Sequence, residues 1–261
     1  MEIYLLKLTV TPLLMWLVSL VGRRWGGLAG GILAGMPITS GPISIYLAIE
    51  QGPAFADQAA SGALIGIGAV MASYAAYIDA SRRRGIGGSI LTALGTYGIA
   101  ACALFGAGSE AASVAVSVLA FLLIVRPRPE IPTVTASASR PAWDMPARMA
   151  ASTVLVLTVT GCAAHLGPTL SGLVSPIPVI AWPLAIFAHL QGGSAEAQST
   201  IRGTAAGSCG IIIFNLVVSR GFEVAGIVPT YLVAFGLSCL ASTALGYLLS
   251  HTGRSAVRAI S

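Results

Sequence analysis

The chain has 261 residues, 56% of them hydrophobic and 9% charged, against about a quarter charged in an ordinary soluble domain. That excludes a soluble fold, and the absence of ten-residue segments with period-two alternation excludes a transmembrane β-barrel. The formal net charge of +5 leaves no basic surface for nucleic acid once the apolar runs are placed.

These runs are long enough to cross a hydrocarbon layer about 30 Å thick as helices. In chain order they predict transmembrane helices over 3–21, 26–49, 62–78, 85–105 and 111–125, then 149–166, 167–190, 203–219 and 225–249. The expected fold is therefore an all-α polytopic membrane protein of about nine helices. The start, Met1-Glu2-Ile3-Tyr4, has neither the basic region nor the cleavage site of a signal peptide, so the first helix is expected to be retained. Between the two groups, 126–148 contains Pro127, Pro129, Pro132, Pro141 and Pro146 and reads as an extended polar linker. Cys102, Cys162, Cys209 and Cys239 lie in apolar runs and form no paired motif, which suits small packing residues.

Of the 14 Lys and Arg, Arg23, Arg24, Arg82, Arg83, Arg84, Arg126, Arg128, Arg140, Arg148, Arg202, Arg254 and Arg258 fall on one side of this alternation. Only Lys7 and Arg220 fall on the other. Cytoplasmic loops carry the excess, so the N-terminus is expected outside and the C-terminus inside, in the cytoplasmic (inner) membrane.

Shifting the sequence by 141 residues places Gly26 on Gly167, Pro37 on Pro178, Pro42 on Pro183, Gly52 on Gly193 and Gly62 on Gly203. Ten identities fall in the 41 positions from 26 to 66. Five helices separate each matched pair, an odd number, so the copies are expected to be inverted. The implied organisation is a first repeat over 1–106, a connector helix over 107–126, a cytoplasmic Pro-rich linker over 127–147 and a second, inverted repeat over 148–261.

Each proline lacks an amide hydrogen and clashes with the carbonyl four residues back. Helix two is thus expected to break across Pro37, Thr39, Ser40, Gly41 and Pro42, and helix seven across Pro178, Ala181, Trp182 and Pro183. Matched breaks in inverted halves point to a carrier's central site, where free amides at the new helix starts suit an anion. Tyr74 and its 141-residue mate Asn215 are candidates to face that site. His189, Glu50 and Arg202, close to the broken helices, are candidates for coupling or gating. The sequence contains no metal-ligand cluster, phosphate loop or nucleophile beside a base, so neither an enzyme nor a cofactor is expected.

The run Ala34-Gly35-Met36-Pro37, with Pro42, Tyr46-Leu47-Ala48, Gln51-Gly52 and Ala59-Ala60, resembles the small membrane proteins of the GlpM family. So does the second copy, with Gly172-Leu173, Pro176, Pro178, Ile186-Phe187-Ala188-His189, Ala197 and Thr200-Ile201-Arg202-Gly203. The resemblance implies a tandem fusion of two half-length units and carries no defined activity. In architecture alone, the broken helices are similar to the crossing helices of the bile acid and auxin carrier superfamily, whose typical cargo is organic anions.

The expectation is a secondary transporter of a small anionic organic solute, working by alternating access in the lipid bilayer, with a homodimer allowed. The alternatives are a lipid or polyprenyl carrier translocase or channel, and a non-transporting membrane assembly subunit.

Overall fold

The computed structural model describes residues 2–38, 41, 44, 45, 48, 52–126, 141–174 and 177–258. All regular structure among them is helical. The elements are α1 (Glu2–Trp25), α2 (Gly27–Gly35), α3 (Pro53–Ala80), α4 (Ile86–Ala107), α5 (Glu110–Val125), α6 (Asp144–Val174), α7 (Ala181–Ala225) and α8 (Ile227–Arg258). The stretches Pro53–Ala80, Ile86–Ala107, Ala181–Phe222 and Ile227–Ser250 are each long and apolar enough to cross a membrane. The all-helical membrane expectation therefore holds.

Several boundaries differ from the sequence reading. Within the span expected over 26–49, α2 ends at Gly35, just before the break expected at Pro37. The spans 62–78 and 203–219 are the inner parts of longer helices. The linker expected over 127–147 gives way at its end to α6, which starts at Asp144, while 127–140 lie outside the described residues. No helix end occurs between 166 and 167, where helices six and seven were expected to meet, and α6 continues to Val174. α7 contains one residue with non-helical backbone, Gly193.

Gly193 adopts φ 73°, ψ −171°, so α7 is two helical pieces, 181–192 and 194–225, joined at an angle. Gly52, at the start of α3, adopts φ 89°, ψ 165°. Only glycine occupies this region without strain of about 1–3 kcal/mol. Gly193→Ala is accordingly expected to lower the melting temperature in detergent by that cost, even though nothing lies within 4 Å of the added methyl group. The turn between α4 and α5 is closed in the usual way. Gly108 is a left-handed C-cap, and the Ser109 hydroxyl accepts from the Ala112 amide at 3.2 Å.

α3 is the central helix. Leu64, Val70, Met71, Tyr74, Tyr77 and Ile78 are all buried along it, packed against α4, α5 and α7. Ser113 fastens α5 to it, bridging to the Leu64 and Ile65 carbonyls at 2.7 and 2.8 Å. α4 and α8 lie at the periphery, with Leu91, Ile99, Leu232 and Leu240 exposed, an apolar surface suited to lipid. Cys102 and Cys239 are exposed on those same helices rather than packed inside, and Cys209 is half-buried.

Among the described helices, α2 and the second piece of α7 approach each other closely. Gly27, Gly31 and Gly35, four residues apart, share one face of α2. A methyl group on Gly31 would run into the Thr200 carbonyl, and one on Gly35 into the Thr204 carbonyl. From the other side, Gly203 meets the Leu28 carbonyl and Gly207 the Ile32 carbonyl. In lipid, helices gain nothing by hiding apolar surface from one another, so such small-residue faces, which admit backbone to backbone, are what hold them. Residue numbers rise together along the crossing, so the two helices run parallel.

Candidate functional site

The first break follows from proline chemistry. Pro37 cannot donate to Leu33, and it forces the residue before it out of the helical region. Met36 is indeed extended, at ψ 158°. The chain turns at Pro37 and Ile38 and is helical again at Gly41, whose amide donates to the Pro37 carbonyl at 3.0 Å. At the second break the chain bends and turns over 177–180. There the Trp182 amide donates to the Pro178 carbonyl at 3.2 Å, and α7 begins. The two hydrogen bonds stand 141 residues apart.

The breaks meet in space. Met36 and Ile38 share an apolar pocket with Ile180, walled by Leu14, Val18 and Leu33 of α1 and α2. The pocket measures about 10 Å³, the least that holds one water. A solute would therefore need the breaks to move apart.

Beside the second break stands an aromatic cluster. Trp182 packs on Tyr74 and Tyr77 of α3, with ring centroids 5.4 and 5.5 Å away. The Tyr77 hydroxyl is hydrogen-bonded to His189 Nδ1 at 2.8 Å. Tyr74 is 1% exposed, and its buried hydroxyl has no partner among the described residues, a costly state for a polar group.

Of the other residues expected at the site, Pro37, Ala181 and Pro183 are buried at the breaks and Pro178 is half-buried. Gly41 is buried where a side chain would strike the Phe235 ring. Asn215 is buried, but its amide donates at 2.9 Å to the Ile211 carbonyl of its own helix. Arg202 is half-buried on α7. Thr39, Ser40, Pro42 and Glu50 lie outside the described residues. The structure thus brings Tyr74, Trp182 and His189 into one cluster, with Tyr77 as the missing link.

A second constellation was not anticipated. Asp144, fully buried at the start of α6, bonds Arg23 of α1 at 2.7 Å and Arg148 one turn on at 2.8 Å. Arg148 also donates to Gln191 Oε1 at 3.0 Å and lies over the Phe187 ring at 5.3 Å. The Gln191 amide donates to Asp144 as well. Burial pushes the Asp144 carboxyl up, but the bonds from Arg148, Arg23 and Gln191 outweigh it and hold the group below its ordinary value. The sequence signal was the spacing Asp144 to Arg148, four residues, at a helix start.

A third polar contact at this end joins Gln198 to the Ser81 hydroxyl at 3.2 Å. The pair Arg220 to Glu110, at 3.0 Å, lies near the other end of α3, since Glu110 adjoins Ser113 and so the Leu64 turn. Being largely exposed, it contributes little.

No family model, curated protein or solved structure matches this chain.

Proposed function

We propose that the protein is a secondary transporter of a small anionic organic solute, built as an inverted repeat and working by alternating access at the two broken helices. The observation that carries this reading is the meeting of Met36 and Ile38 with Ile180 in one pocket. Interrupted helices are tolerated at membrane depth where protein or a cavity satisfies the freed groups, and paired interruptions are where carriers bind. The start of α7 at Ala181, the positive end of a helix dipole, suits an anion. Tyr74 supplies a hydroxyl with no partner among the described residues, and Trp182 an aromatic wall.

Several features support the repeat. Gly52 and Gly193 share one unusual backbone conformation 141 residues apart. Leu91 and its mate Leu232 are 71% and 70% exposed, and Ile99 and Leu240 are 76% and 67% exposed. The Tyr77 and His189 contact has its mate in Val218 and Ala48, which share an apolar cluster. Gly167, inside α6, departs from its mate Gly26. On this reading the Arg23, Asp144 and Gln191 end is cytoplasmic, the N-terminus is outside and nine helices cross the inner membrane. The chain would then be a tandem relative of the GlpM-like proteins it resembles.

Full-length protein in liposomes, offered a panel of labelled mono- and dicarboxylates, tests the function. At least one anion is expected to enter, with uptake reduced at least tenfold by Trp182→Ala and severalfold by Tyr74→Phe. Uptake untouched by either substitution in folded protein removes the site. The translocase alternative predicts no anion uptake and instead the movement of a labelled isoprenoid lipid across the bilayer.

A further inference from the structure

The pocket at the breaks is shut, and the polar groups that cap one end of it come from both proposed repeats. Val18, Met149 and Leu184 share one apolar cluster with Ile180, and Val18 and Ile180 both line the pocket. Val18 lies five residues before Arg23 on α1, and Met149 five residues after Asp144 on α6, about 7.5 Å along each helix. Leu184 precedes Gln191 by seven residues on α7. The buried charges thus sit directly over the apolar layer that covers the breaks.

We propose that Arg23, Asp144, Arg148 and Gln191 form a gate, closed in this structure, which opens the pocket toward that face of the membrane when Arg23 parts from Asp144. The proposal rests on the carrier reading. A group with three partners, one of them on the half-exposed rim, suits this task. Arg23, with its side chain 33% exposed, leaves at low cost because water receives it. Asp144 keeps Arg148 on its own helix, so no charge is stranded. Rocking α1 against α6 and α7 exchanges one ion pair for hydration and uncovers Ile180.

The test uses full-length protein in membrane vesicles, with the native cysteines replaced and a single cysteine placed by Ile180→Cys. A membrane-impermeant maleimide is applied from each side in turn. With the gate intact, labelling from its side is expected to be slow. Arg23→Gln, which leaves the Asp144 to Arg148 pair in place, and Asp144→Asn are each expected to speed it at least tenfold. A control cysteine from Ala120→Cys, buried between α5 and α3, should be unaffected by either change. An unchanged rate at position 180 overturns the proposal, as does an equal rise at position 120, which reports general loosening. The readout needs no cargo. Normal uptake with unchanged labelling removes the gate alone, and faster labelling in a protein that carries nothing removes the carrier reading alone.

Discussion

Gly31→Leu is expected to abolish folded protein, whereas Gly95→Leu is expected to leave it unchanged. Both glycines sit inside apolar helices, so propensity does not separate them. Gly31 lies against the backbone of α7, where the first added carbon already overlaps the Thr200 carbonyl. Backbone cannot swing aside as a flexible side chain can, so α2 and α7 must separate along the whole Gly27, Gly31 and Gly35 face. Overpacking costs about 3 kcal/mol at the upper end of its usual range, and the separation also forfeits the dispersion contacts that help hold helices together in lipid. Gly95 has nothing within 4 Å, and leucine there faces lipid as its neighbour Leu94 does. Monodisperse yield and melting temperature in detergent measure both. Equal behaviour of the two variants would contradict the crossing.

The second large effect is expected at Asp144. Asp144→Ala leaves Arg148, itself 4% exposed, with its charge buried and its carboxylate gone, and breaking a buried pair in this way costs about 3–5 kcal/mol. Asp144→Asn keeps an acceptor oxygen for one arginine, so its loss should be smaller. The carboxyl is held below its ordinary value, so its contribution to stability is present above the ordinary carboxylate range and lost as pH falls through the lowered value. The wild-type melting temperature should therefore carry an acid-side decline, confined to pH below that of a free aspartate, that Asp144→Asn lacks. Melting curves of both proteins across acid pH provide the measurement.

The residues show which parts of this architecture could be read beforehand. Membrane helices were legible because lipid demands long apolar runs with internally satisfied backbones. The breaks were legible because proline acts locally, through one missing donor and one clash. The α2 and α7 crossing was written in the four-residue spacing of Gly27, Gly31 and Gly35 and of Gly203 and Gly207, yet glycine spacing names a face without naming its partner. Tyr77 looked like any apolar-helix tyrosine, and only the fold brings it to His189, 112 residues away. Asp144 was hidden for a different reason. A charge beside a proline-rich stretch reads as solvated linker, and its burial depends on Arg23 arriving from 121 residues earlier. The end of helix six was misplaced because Gly167 and Pro168 resemble a stop, although backbone hydrogen bonding continues past them.

The most direct measurement on the central claim is a reversible bridge across the two breaks, made by Ile38→Cys with Ile180→Cys in an otherwise cysteine-free protein reconstituted in liposomes with the labelled carboxylates. Oxidation is expected to form the bridge rapidly and to lower uptake at least tenfold, and reduction to restore it. A pair that does not bridge, or a bridged protein that carries solute at the unbridged rate, would contradict the account.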